Sequence, residues 1–136
     1  MIWLLRGFTL HDPRKSYPGF YLSPQQSYVM SVVREEDEIS PGEVAKKLRL
    51  EKSHLTKIVN SLIDLGAMEK KTDPSDRRKL VLHLTKKGEE ILRELDKVGI
   101  ASYREFMHHI PEKEREPVIH AVEAMLEAME EMRKEQ

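Results

Sequence analysis

The chain has 136 residues, a formal net charge of −1 and no cysteine, with 39% hydrophobic and 35% charged residues. These values fit a single globular domain over residues 1–136 with one hydrophobic core, and no apolar run approaches the roughly 20 residues that a membrane span needs. The absence of cysteine excludes disulfide scaffolds, cysteine zinc fingers, thiol nucleophiles and thiol redox sensors. We expect a protein of the cytoplasm that does not enter a membrane.

Two similar helix starts follow each other in the first half of the chain. Ser23 and Ser40 each precede a proline and stand three residues before Gln26 and Glu43. This is the spacing of a capping box with proline at the first helical position. Each serine therefore predicts a helix that begins at the proline after it, and the second of these helices is short.

A third helix is predicted from about residue 52 to residue 65, followed by Gly66, where a left-handed residue is favoured. The short helix, a three-residue turn and this longer helix form a helix-turn-helix. The face opposite its apolar residues carries short polar side chains, which suit the reading of base edges in a major groove. An ordinary solvated face would more often carry long Glu/Lys pairs. The candidate DNA contacts on this recognition helix are Ser53, His54, Thr56, Lys57 and Asn60.

The hydrophobic period changes after the third helix. Leu80, Leu82 and Leu84 alternate with period two, which predicts a half-buried strand. This strand and residues 67–72 are predicted to form a β-hairpin, the wing, at about residues 67–84. A helix-turn-helix followed by a hairpin predicts a winged helix-turn-helix over residues 22–85, in a protein that is mainly α with one small hairpin.

The tip of this wing is basic. Arg77, Arg78 and Lys79 lie beside Asp73 and Asp76. A projecting arginine can enter a narrow minor groove, where the potential is most negative, and an acidic neighbour can orient the guanidinium through a bidentate pair. The alternative is that these residues only keep an edge loop soluble. The three basic residues are the candidate DNA contacts of the wing.

Charge along the chain agrees with a binding site in its middle. Residues 46–79 carry ten Lys/Arg against five Asp/Glu, whereas residues 1–45 and 86–136 have net charges of −2 and −4. A basic middle between acidic flanks is typical of a site for a polyanion, although a solvated surface gives the same pattern. Phosphates also bind at helix starts and to nearby lysines. The candidate phosphate contacts are Ser40, Lys46, Lys47 and Lys86.

Residues 86–136 are predicted to form a long helix, capped by Thr85, and a final helix for dimerisation. Pro117 either starts that final helix or kinks it, and in the first case residues 111–116 form a separate turn. The apolar stripe of the final helix is wider than one small domain needs to cover its own core. The candidate dimer contacts in this stripe are Val118, Ile119, Val122, Met125, Leu126 and Met129.

Five segments occur in a fixed order and spacing between residues 22 and 95. They are Leu22-Ser23-Pro24-Gln25-Gln26, Glu43-Val44-Ala45-Lys46-Lys47-Leu48, Leu55-Thr56-Lys57-Ile58-Val59-Asn60-Ser61-Leu62, Asp73-Pro74-Ser75-Asp76-Arg77-Arg78 and Leu84-Thr85-Lys86-Lys87-Gly88. Together they resemble the multiple-antibiotic-resistance regulator (MarR) family. The resemblance implies a homodimeric winged-helix repressor or activator on a pseudo-palindromic operator of double-stranded DNA. It also implies dimerisation through the N- and C-terminal helices and release of DNA by a small aromatic acid.

The chain departs from this family at two places. Lys57 stands where the family often has arginine, and a lysine lacks the bidentate fork that suits guanine. The N-terminal segment, residues 1–21, is shorter than the usual first helix, although it is expected to form part of the dimer interface.

Other chemistry finds less support in the sequence. Of the six histidines, His108 and His109 are adjacent and point about 100° apart on a helix, and the others have no partner four residues away. A metal site would need assembly in three dimensions, and none is predicted. The methionines near the C-terminus fit packing or a pliable ligand pocket. Aromatic residues near the start, such as Trp3 and Phe8, either anchor the N-terminal segment or cover a cavity for a small aromatic ligand.

No enzyme motif is present. The sequence has no glycine-rich phosphate loop, nucleophile elbow or metalloprotease motif. We therefore predict a DNA-binding regulator and not an enzyme. We expect it to act as a repressor, with no cofactor and with an effector that the sequence does not identify. The alternative is a winged helix used for protein contacts without specific DNA binding, which should lack a basic recognition surface.

Overall fold

The computed structural model describes residues 22–73 and 75–134. Five helices and one hairpin follow each other along these residues. They are α1 (Pro24–Glu36), α2 (Pro41–Leu48), α3 (Lys52–Asp64), β1 (Met68–Thr72), β2 (Leu80–Leu84), α4 (Lys86–His108) and α5 (Glu112–Lys134). The mainly α fold with a small hairpin is confirmed. The predicted N-terminal segment, with its aromatic residues, lies outside the described residues.

The helix starts have the caps that the sequence predicts. The Ser23 hydroxyl accepts from the Gln26 amide at 3.2 Å, and Gln26 Oε1 accepts from the Ser23 amide at 2.8 Å. Ser40 and Glu43 form the same reciprocal pair at α2. Thr85 accepts from the third amide of α4. These bonds satisfy amides that a helix cannot pair internally, so they fix where α1, α2 and α4 begin.

The two strands pair antiparallel, with Met68 opposite Leu84 and Thr72 opposite Leu80. The amide of Leu82 also donates to the Ile39 carbonyl at 2.8 Å, which ties the hairpin to the turn before α2. The predicted alternation holds only in part, because Leu80 is 52% exposed while Leu82 is fully buried. Leu80 lies at the outer end of the wing, where the helices do not reach it.

One hydrophobic core lies where α1, α2 and α3 pack against the base of the hairpin and the first turns of α4. The predicted core face of α3 is confirmed, since Leu55, Ile58, Val59 and Leu62 are all buried. At the last turn of α1, an ion pair of 3.0 Å joins Arg34 to Asp96 of α4. The core therefore packs α3 against α1 and α2, and α1 in turn packs against α4.

The final helix differs from the prediction. It begins at Glu112 and contains Pro117, so the separate turn over residues 111–116 is wrong. Proline removes only the bond to the carbonyl of Lys113, in the exposed first turn of the helix, and the helix tolerates this loss. The guanidinium of Arg115 donates to the carbonyls of Met107 and Ile110 and so holds the turn between α4 and α5.

Among the described residues, no helix is long and apolar enough to cross a membrane.

Candidate nucleic-acid interface

The five predicted side chains of the recognition helix share one exposed surface. Ser53, His54, Thr56, Lys57 and Asn60 are all exposed, on the side of α3 that faces away from its buried residues. The helix can therefore present these side chains to a groove without any change in the core.

The first turn of α3 is unlike the first turns of α1, α2 and α4. Glu51 occupies the cap position and makes no side-chain hydrogen bond to the helix amides. The amide of Leu55 donates to the carbonyl of Glu51 at 2.9 Å. The amides that precede it in the first turn have no side-chain acceptor among the described residues. These amides lie at the positive end of the helix.

Three side chains of this surface have hydrogen-bond partners within the chain, two of them on neighbouring elements. Nε2 of His54 lies 3.0 Å from Oε1 of Gln25 in α1, and the ammonium of Lys70 in β1 donates to Oδ1 of Asn60 at 3.5 Å. The Thr56 hydroxyl donates to the Lys52 carbonyl at 2.8 Å. Gln25 and Lys70 were missed by sequence reasoning, because nothing in the sequence brings residues 29 and 10 positions away onto this surface.

Lys57 and Arg77 lack intramolecular partners within residues 22–73 and 75–134, where neither makes a hydrogen bond or an ion pair. Both side chains are exposed. Their charges are thus available to an external anion.

The rear of the recognition helix is fixed by Gln26. Nε2 of Gln26 donates to the Ser61 hydroxyl at 3.0 Å, while its Oε1 completes the capping box of α1. The Ser61 hydroxyl donates in turn to the Ile58 carbonyl at 2.6 Å. One amide side chain therefore joins the start of α1 to the third turn of α3.

The wing tip is ordered by Asp73. Its Oδ1 accepts from the amide and the hydroxyl of Ser75, at 2.7 and 2.6 Å, and from the amide of Asp76 at 3.2 Å. The hydrogen bonds from Ser75 lower the pKa of Asp73, with a smaller contribution from Asp76 and the charge of Lys79. The tip is thus a turn built around an ionised carboxylate.

The predicted bidentate pair at the tip is wrong in its geometry. Nε of Arg78 makes a single contact of 3.4 Å with Oδ1 of Asp76, and the Arg78 side chain is 92% exposed. The same carboxylate oxygen accepts a hydrogen bond from the Arg78 amide at 3.1 Å, and this shorter bond stabilises the backbone of the turn. Arg77 and Lys79 are also exposed. All three basic side chains project from a fixed backbone.

The predicted phosphate contacts have different surroundings. The Ser40 hydroxyl donates to Glu43 at 2.6 Å, and this bond is the main reason why the pKa of Glu43 is lowered. Lys47 pairs with Glu36 at 2.5 Å. Lys46 and Lys86 are exposed. Two of the four candidates therefore have partners inside the chain, and two point to solvent.

The predicted dimer contacts lie on α5, where no side chain that the structure describes is fully buried. Val118, Ile119, Val122 and Leu126 are half-buried, while Met125 and Met129 are 65% and 50% exposed. On α4, Ile100 and Phe106 are exposed as well. Ile100 was missed by the sequence analysis.

In the part of the chain that the structure describes, no three His, Asp or Glu side chains are grouped for a metal ion.

Comparison with known proteins finds relatives of the winged-helix region. Residues 22–80 match the MarR family. The uncharacterised HTH-type transcriptional regulator YdgG of Bacillus subtilis is 26% identical over 101 residues, which are 73% of this chain and 66% of YdgG. The chain spans less than two thirds of the length of the curated relatives it matches first.

Solved structures share the fold. Apo MarR from E. coli has a TM-score of 0.72 at 21% identity, over 92% of this chain and 88% of the other. Streptococcus pneumoniae FabT, solved in complex with DNA, has a TM-score of 0.70 at 21% identity, over 96% and 88% of the two chains. The family is one of transcriptional regulators and not of enzymes. The winged-helix region of this chain, residues 22–80, therefore matches the MarR family of transcriptional regulators.

Proposed function

We propose that this chain is a sequence-specific DNA-binding repressor that acts as a homodimer on a pseudo-palindromic operator. The observation that carries the proposal is the polar, exposed surface of α3, held from behind by the core and by Gln26. A major groove accepts a helix of this kind, and its base edges offer partners for short polar side chains.

Each part of the surface has a separate task in this proposal. Lys57 and Asn60 read base edges, and Ser53, His54 and Thr56 flank them. Arg77, Arg78 and Lys79 enter the neighbouring minor groove or bind its phosphates, because the tip holds them away from the body of the wing. Lys46 and Lys86 add phosphate contacts, which set the register of the helix in the groove.

The homodimer is supported by α5. None of the side chains of α5 that the structure describes is fully buried, so its apolar stripe stays partly open to water. A two-fold partner covers the same stripe on each chain and supplies the second recognition helix. The two helices would then enter successive major grooves, about 34 Å apart. A small-molecule effector that shifts this spacing stays a prediction.

The experiment is a binding selection on random duplexes with the full chain, repeated with Asn60→Ala. The expected result is a two-fold symmetric sequence for the wild type and a loss of preference at one position of each half-site for the variant. That loss should be about five- to a hundredfold, the range for one good base contact.

An interaction module without specific DNA binding is the alternative function. It predicts that selection enriches no sequence, and that outcome would overturn the proposal. Enrichment of a sequence that Asn60→Ala does not alter would keep the function and remove Asn60 from it.

A further inference from the structure

The end of the recognition helix is tied directly to the start of α4. The ammonium of Lys87 donates to the carbonyl of Leu65 at 2.6 Å, and the Thr85 hydroxyl donates to the carbonyl of Gly66 at 2.6 Å. The amide of Thr85 donates to the carbonyl of Ala67 at 3.1 Å. We call residues 65–67 and 85–88 the α3–α4 junction.

Two glycines let the backbones of this junction meet. Gly66 has a φ of +75°, a conformation that a side chain disfavours. A Cβ on Gly88 would lie 2.0 Å from the carbonyl oxygen of Ala67, so the first turn of α4 touches the main chain of residue 67 directly. With no side chain between them, the two segments have little freedom to rotate against each other.

The position of the junction gives this contact a consequence for DNA binding. Under the proposed function, α3 reads the DNA and α5 carries the dimer interface, and α4 connects the winged region to α5. The angle between α3 and α4 then sets the distance between the two recognition helices. The junction joins these two helices at their ends. A small rotation at the junction therefore displaces the far end of α3 more than any other part of that helix.

We propose that Lys87 is a positioning residue that fixes the separation of the two recognition helices. From the second position of α4, its ammonium donates to the carbonyl of Leu65, the residue that caps the C-terminal end of α3. The side chain is exposed, so its removal leaves the core intact. Lys86, the residue before it, is exposed and belongs to the proposed phosphate contacts, so two adjacent lysines have different tasks.

The test uses the operator from the selection above, together with versions that have one base pair added or removed at the centre. Affinities of the full-length wild type, Lys87→Met, Lys87→Arg and Lys97→Met are measured for all three duplexes. Lys97→Met is the matched control, because Lys97 lies on α4 and its ion pair is with Glu94 of the same helix, at 2.6 Å.

The wild type and Lys97→Met should prefer the original spacing by the same factor. Lys87→Met should lower that factor by about threefold or more, the size expected for loss of one hydrogen bond, and Lys87→Arg should restore it. A merely structural role would weaken binding to all three duplexes equally, and that result would overturn the proposal.

The proposal rests on the proposed function, and the two fail in different ways. If the wild type selects no sequence, both are wrong. If the wild type prefers one spacing and Lys87→Met keeps the same preference, only the role of Lys87 is wrong. Sedimentation of Lys87→Met as a dimer of wild-type stability would exclude weaker association as the cause of a changed preference.

Discussion

The winged-helix region and the C-terminal helix use apolar residues in opposite ways. Between Leu22 and Leu95, the apolar side chains of five elements close one core. Along α5, apolar side chains recur at helical spacing, yet none is buried. Both regions have the same kind of pattern in sequence, so periodicity predicts a helix and a face but not what covers that face. Among the described residues, the winged region closes its own core, whereas the apolar side chains of α5 stay half-buried or exposed.

The largest expected effect is that of truncating a leucine in the core of the winged region. Leu62 is fully buried at the centre of the winged region. Leu62→Ala should lower the free energy of unfolding by about 3 kcal/mol, because it leaves a cavity in a close-packed core. Leu80→Ala, at an exposed site on the wing, is the matched control and should change it by less than about 0.5 kcal/mol. Urea denaturation measures both, and equal effects would contradict the core described above.

Charged residues on α5 should separate folding from association. Val122→Glu combined with Leu126→Glu places two carboxylates on the apolar stripe, so the dimer dissociation constant should rise by about a hundredfold or more. Helix content and the unfolding of the winged region should remain, and Glu123→Gln should leave the dimer unchanged. Sedimentation equilibrium gives the constants. A double variant that stays dimeric would place the interface elsewhere.

Removing the basic side chains of the wing tip should weaken DNA binding without affecting folding. Arg77→Ala with Arg78→Ala removes two exposed charges, so affinity should fall and the salt slope should flatten by about one to two units. Arg104→Ala, exposed on α4 far from the wing in sequence, should alter neither. Fluorescence titrations at several salt concentrations provide the slopes. An unchanged slope in the double variant would remove the wing tip from the interface.

The smallest expected effect is a loss of folding stability at low pH. Hydrogen bonds from Ser40 lower the pKa of Glu43 in the folded protein. A carboxyl group whose pKa is lower when folded stabilises the fold above its unfolded pKa and loses this contribution as the pH falls towards the folded pKa. The winged region should therefore lose some stability below about pH 4.5. Glu43→Gln should reduce that loss in thermal melts. A steeper acid dependence in this variant would contradict the sign.

Much of the winged region follows from local rules. Ser23, Ser40 and Thr85 act as caps through contacts three residues away, and such contacts can be read directly from spacing. The core face of α3 follows from helical periodicity in the same way. Leu80 and Pro117 show where local rules fail. The exposure of Leu80 depends on how far the helices extend over the sheet, and Pro117 is tolerated because an exposed carbonyl needs no helix partner.

The candidate site was predicted less completely than the fold. The exposed residues of α3 follow from its wheel, but Gln25, Lys70 and Lys87 reach the recognition helix from 29, 10 and 22 residues away. Such contacts depend on how separate elements pack, and no spacing in the sequence encodes them. Asp73 and Arg78 show a related limit. The sequence identifies the charged tip, but the backbone amides of the turn, and not the guanidinium, take most of the carboxylate bonds.

The central claim is that two copies of this chain bind one DNA site through α3 and the wing. Its most direct test is a stoichiometric fluorescence-anisotropy titration of the selected duplex and of a scrambled duplex of the same composition, at about 150 mM salt. Two chains should bind each selected duplex, at least about a thousandfold more tightly than they bind the scrambled duplex. Equal affinity for the two duplexes, or one chain per selected duplex at saturation, would contradict it.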